Sequence, residues 1–145
     1  MLKTFFETRK DLGILILRLG IGIAFIFIHG WNKMFGGPET WARIGGAMSS
    51  LGITFAPVFW GFMAAISEFG GGILLILGLF TRTTSAFMAF TMLVAAARHL
   101  TNLDPWNRVF YPIELLSVFA ALIFIGAGKY SIDAMIARRK NNSHN

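Results

Sequence analysis

Four stretches of the chain, residues 12–29, 55–80, 83–100 and 109–128, are almost unbroken runs of apolar side chains. Each comes close to the roughly 20 residues that a helix, rising about 1.5 Å per residue, needs to cross the hydrocarbon of a bilayer. No run alternates with a strand-like period. In lipid no water satisfies exposed peptide groups, so a spanning segment must be a helix or part of a closed barrel, which so few segments cannot close. The expectation is an all-α integral membrane protein, a four-helix transmembrane bundle forming one domain over residues 1–145, with a basic tail over 129–145. Short connections after the second and third runs make their helices antiparallel neighbours. The third run is the least apolar, because it ends on Arg98 and His99.

The long first connection carries its own signal. Gly37-Pro38-Glu39 reads as a helix start, with proline and an acid in the first turn. Trp41, Ile44, Met48 and Leu51 then recur at helical spacing. This predicts a short interfacial helix, a cap on the bundle or a lid over a site.

Composition narrows the function. Of 145 residues, 55% are apolar and 14% charged, too little polar surface to wrap a water-soluble core. The net charge of +6 comes from cations beside the apolar runs, not from a patch interleaved with aromatics. This points away from nucleic acid and toward lipid head groups. Lys3, Arg9, Lys10, Arg82, Lys129, Arg138, Arg139 and Lys140 would share one side of a four-span protein, against Lys33, Arg43 and Arg108 on the other. By the positive-inside rule both termini are expected to be cytoplasmic. The first run contains Arg18 and leads into His29-Gly30-Trp31-Asn32-Lys33 instead of a cleavage site, so it reads as a retained helix. Cysteine is absent, which excludes disulfides, thiolate metal sites and cysteine-bound iron–sulfur clusters. Redox chemistry would need a bound organic cofactor or haem, and only His29 and His99 share a level at which two imidazoles could hold a haem.

The charges inside the runs are the sharpest feature. Arg18, Glu68, Arg98 and Glu114 lie where a charge costs about 2.5–3.5 kcal/mol even on the lenient insertion scale. Arg18 shares a helix face with Gly22, Phe25 and His29; Glu68 with Gly61, Ala64, Ala65, Gly71, Gly72 and Leu75; Glu114 with Ser117, Ala121 and Gly128. Small residues let helices approach closely, so these faces are expected to point at neighbouring helices. Counting depth along the runs predicts an Arg18–Glu68 interaction near the midplane and a second group nearer the outer surface, with Arg98 or His99 facing Glu114. Such pairs would either take part in function or satisfy one another and fix helix register. Trp31, Trp41, Trp60, Trp106 and Tyr111 fall mainly at run ends, as an interfacial belt or as rings to stack on a lipophilic head group.

Several segments resemble the DoxX family of small bacterial membrane proteins: Leu17-Arg18-Leu19-Gly20, His29-Gly30-Trp31-Asn32-Lys33-Met34-Phe35-Gly36-Gly37, Glu68-Phe69-Gly70-Gly71-Gly72 through Gly78-Leu79-Phe80-Thr81-Arg82, Tyr111-Pro112-Ile113-Glu114-Leu115-Leu116, and Gly126-Ala127-Gly128-Lys129-Tyr130-Ser131-Ile132-Asp133. They cover nearly the whole chain in order. The resemblance implies a four-helix protein of the bacterial inner membrane and, through the related DoxD subunit of a thiosulfate:quinone oxidoreductase, a redox role. Some distant relatives look like assembly factors. Its motif residues here are Arg18, His29, Lys33, Glu68, Arg82, Tyr111 and Glu114.

Three functions fit. In the first, a quinone-linked redox subunit, Glu114, His29, Glu68, Arg98 and Arg18 supply proton exchange and positive charge, while Trp31, Lys33, Tyr111 and His99 contact the ligand. A soluble or membrane partner brings the electrons. The second is a non-catalytic component that binds a lipophilic molecule, scaffolds a partner complex or forms a homo-oligomer. The third, a small proton or solute carrier, rests on the midplane Glu68.

Overall fold

The computed structural model describes the backbone of residues 2–143 and the side chains of 9–143, so the Lys3 side chain and the last two residues of the basic tail lie outside the described residues. The chain runs as α1 (Leu2–Ala24), a π-helical segment (Phe25–Gly30), α2 (Trp31–Met34), α3 (Gly37–Gly45), a 3-10 segment (Gly46–Leu51), α4 (Pro57–Leu77), α5 (Thr81–Thr101), α6 (Trp106–Ile125) and α7 (Ile132–Asn142). The first three pieces follow without a break and act as one long rod. It begins earlier than the apolar run alone indicates.

Length and composition make Arg9–Met34, Pro57–Leu77 and Trp106–Ile125 candidate membrane spans. Helix α5 matches them in length but is more polar, with hydroxyls at Thr81, Thr83, Thr84 and Ser85 and charge at Arg98. Packing explains why it tolerates this. It buries eight residues, among them Thr81, Thr84 and Ser85, whereas α6 buries four, so three of these hydroxyls are covered by the chain itself. The lipid side is furnished elsewhere by exposed side chains such as Phe27, Ile28, Phe87 and Phe124.

Around the bundle α1 packs on α4, α4 on α5, and α5 most extensively on α6. The ring closes between α6 and α1 through side chains, including Phe25 and Phe119, edge to face at 5.2 Å. The core consists of Ile14, Phe25, Leu75, Met88, Ala89, Met92, Phe119 and Leu122. On α4 the expected small-residue face is the buried one, with Gly61, Ala65, Glu68, Gly71, Gly72 and Leu75 out of solvent.

Helix α3 starts with Pro38 in its first turn, as expected, and packs directly on the first turns of α4. Contact is backbone to backbone: a Cβ at Gly61 would lie 1.8 Å from the Trp41 carbonyl oxygen, and one at Gly45 1.8 Å from that of Pro57. Only glycine fits at either position.

The opposite end of the bundle, where α4 stops and α5 and α7 begin, is tied together by Arg18. Its guanidinium donates to the carbonyl oxygens of Leu75 (3.0 Å), Ile76 (3.5 Å), Tyr130 (2.9 Å) and Ala127. The expected Arg18–Glu68 pair is therefore not formed. Arg18 lies level with the last turn of α4, seven residues and about 10 Å from Glu68. There it meets carbonyls of the last turn of α4 and of the connection between α6 and α7. Gly78, at φ 64°, leaves the space, since a Cβ there would lie 2.7 Å from the guanidinium. Asp133 completes the end: it accepts from the backbone N–H of Phe80 (2.8 Å) and Thr81 (2.9 Å), capping α5 from a distant part of the chain. Ser131 caps α7, so the expected basic tail contains an anchored helix.

Candidate functional site

The buried carboxylate of Glu68 is paired with Lys33. Lys33 Nζ lies 2.6 Å from both carboxylate oxygens, and Glu68 is 1% exposed while the lysine side chain keeps 31% exposure. Among the described residues this is one of two ion pairs. Lys33 replaces Arg18 as the partner because fifteen residues, about 22 Å of helix, separate them along the rod, and its far end reaches the middle of α4. The π segment sets the register. A wider turn holds more residues and sets the following ones back around the helix axis, so α-helical spacing counted from Arg18 fails beyond Phe25. Gly30 is then pressed on the backbone of Phe69, and Trp41 Nε1 donates to the Lys33 carbonyl oxygen at 2.7 Å, tying α3 to the same point.

A second pair lies beside the first. His29 Nε2 and the Tyr111 hydroxyl are 2.8 Å apart, joining the π segment to α6. His29 and Lys33 lie four residues apart on the rod, so the two pairs are neighbours, and their polar groups grade from the buried Glu68 to the exposed Tyr111.

The remaining candidates are dispersed. His99 Nδ1 pairs with Asp104 at 2.7 Å, because the turn after α5 brings Asp104 back, its N–H donating to the His99 carbonyl oxygen. Arg98 is exposed, so the expected Arg98 or His99 contact with Glu114 is not formed. Glu114, Ser117 and Ala121 face outward, contrary to expectation. Bulk decides the orientation of α6: Val109, Pro112, Phe119 and Leu122 form its buried face, and the polar stripe is left on the other side. Trp31 is half exposed and contacts Phe35 and Phe69, a wall near Lys33. Arg18 belongs to the opposite end. No three His, Cys, Asp or Glu side chains gather into a metal-binding group among the described residues.

Between α4 and α5 runs a groove of about 630 Å³, lined by Ala64, Ser67, Gly70, Gly71, Thr91 and Ala95 along its floor and by Phe59, Phe80, Phe87 and Phe90 among its larger side chains. Lys33 and Glu68 lie in its wall. The volume is that of a typical small-molecule site. The sequence holds the small residues that hollow it out, but α4 and α5 had to be set side by side before they became a cavity.

The DoxX family model matches residues 13–100 of the chain. The chain is 32% identical over 133 residues to the inner membrane protein YqjF of Escherichia coli (strain K12), covering 90% of this chain and 96% of that protein. It is 28% identical over 134 residues to the Bacillus subtilis (strain 168) protein named "Putative oxidoreductase CatD", covering 92% and 94%. No solved structure gives a significant match.

Proposed function

The chain belongs to the DoxX family of bacterial inner-membrane proteins, and from that premise we propose that it is a redox-associated subunit acting on a membrane quinone at the Lys33–Glu68 pair. The observation that carries the proposal is a buried carboxylate paired with an ammonium in the wall of an apolar groove. A quinone takes up two electrons and two protons on reduction. Lys33 offers a fixed positive charge and N–H donors to a carbonyl oxygen that becomes electron-rich. Glu68 holds or releases a proton in a site sheltered from water, and the His29–Tyr111 pair offers a second exchangeable position. In this reading the electrons come from a partner protein. The name of the Bacillus subtilis relative supports the redox class.

The test is quinone-dependent turnover by the protein purified with its co-purifying partners. Glu68→Gln, which keeps the shape and removes proton exchange, should lower turnover by about 10²–10⁴-fold. No turnover in the wild-type preparation, or an unaffected variant, ends the proposal.

One observation favours a second reading, a non-catalytic component that holds a partner helix. Helix α6 turns Glu114, Ser117 and Ala121 outward, and a carboxylate at that depth on a helix surface calls for cover. Because the sequence has no cysteine, Ser117→Cys and Ala121→Cys each provide a single cross-linking position. The reading predicts a discrete cross-linked species in native membranes from both variants; uncross-linked protein alone would remove it.

A further inference from the structure

We infer that the groove between α4 and α5 is the berth of a lipid-soluble molecule, its hydrocarbon chain along the groove and a neutral, oxygen-bearing head group at Lys33. The inference builds on the proposed quinone site by locating the tail, and it stands or falls separately from catalysis.

The groove extends along the helices, from Ala47 and Met48 beyond one end to Phe80 and Thr83 at the other. Its walls are nearly all apolar, so its occupant must be largely hydrocarbon. Small side chains create it. Gly70, Ala64 and Ala95 leave the space, and the Thr91 hydroxyl donates to Ser67 Oγ at 3.1 Å across the two helices. Membrane helices with small residues at a contact normally close onto one another. Here that closeness is spent elsewhere: α4 touches α1 and α3 backbone to backbone at Gly72 and Gly61.

One donor in the wall sets the chemistry of the head. An ammonium has three N–H groups and Glu68 takes two, leaving one on a partly exposed Lys33. That spare donor calls for an acceptor. Since Lys33 and Glu68 already cancel in charge, an uncharged carbonyl or ester oxygen suits the site better than a phosphate. A quinone carbonyl and the ester of a neutral acyl lipid share that chemistry.

Gly70 gives a clean test, because a Cβ there would meet only Ile66, at an ordinary 3.8 Å, with room for a side chain to grow into the groove. In nanodiscs of defined phosphatidylcholine, binding of decyl-benzoquinone would be compared for the wild type, Gly70→Ala, Gly70→Leu and Ala95→Leu, with thermal unfolding to confirm that each folds. In parallel, lipids retained by the same proteins purified from native membranes would be identified by mass spectrometry. The inference predicts that the leucine variants weaken quinone binding at least about tenfold, while Gly70→Ala stays near wild type. If the quinone binds and neither leucine variant weakens it, the berth is elsewhere and this inference is overturned while the quinone reading survives. If the quinone does not bind but a neutral acyl lipid is retained by the wild type and lost from the leucine variants, the groove inference stands and the quinone reading falls. Neither quinone nor retained lipid overturns the groove inference.

Discussion

Lys33 and Glu68 show what a pair with one buried carboxylate can do and what it costs. Removing the Glu68 charge from water carries a penalty that only tight geometry and attraction to the partly exposed Lys33 offset, so a pair of this kind contributes more to specificity and chemistry than to stability. Breaking it from one side leaves an uncompensated charge in the interior. Lys33→Met should therefore destabilise the protein by about 3–5 kcal/mol, whereas the double variant Lys33→Met with Glu68→Leu should recover most of that loss. Unfolding in mild detergent measures both, and equal losses in the single and double variants would contradict the pairing. That Glu68 and Arg18 needed partners was legible in the sequence, since both interrupt apolar runs. Which partners they found was not. Arg18 is satisfied by main-chain oxygens, which no side-chain pattern reveals, and Lys33 lies beyond the end of its apolar run, where spacing points to the membrane surface and not to Glu68.

At the scale of elements, the long apolar helices, the small-residue face of α4 and the proline-initiated α3 could all be read from spacing. Three features depended on tertiary structure. The π segment has no composition that marks it in advance. Asp133 caps α5 across 52 residues, beyond any local capping rule. On α6 the small residues aligned with Glu114 suggest an inward face, whereas its bulky residues supply the buried surface. The contact of α3 with α4 carries its own prediction. Gly61→Leu has no space against the Trp41 carbonyl and must lift α3, loosening the hydrogen bond from Trp41 to the Lys33 carbonyl. Limited proteolysis should then cut the connection between Phe35 and Ala56 faster than in wild type, and unchanged cleavage would show that α3 is not held this way.

The whole molecule divides into two ends with different work. At the end where α4 stops and α5 and α7 begin, Arg18, Gly78, Ser131 and Asp133 lock helix ends to one another and leave little room for a ligand. Toward the middle and the other end, a buried acid and its lysine partner border a long apolar groove, and a histidine–tyrosine pair lies close by. The central claim is that Glu68 exchanges a proton when a quinone occupies the protein. Infrared difference spectroscopy on adding decyl-benzoquinone and its reduced form to the protein in nanodiscs tests this directly. A carboxyl band that appears or shifts in the wild type, persists in Glu114→Gln and is absent in Glu68→Gln is the predicted result; an unchanged spectrum in Glu68→Gln would contradict it.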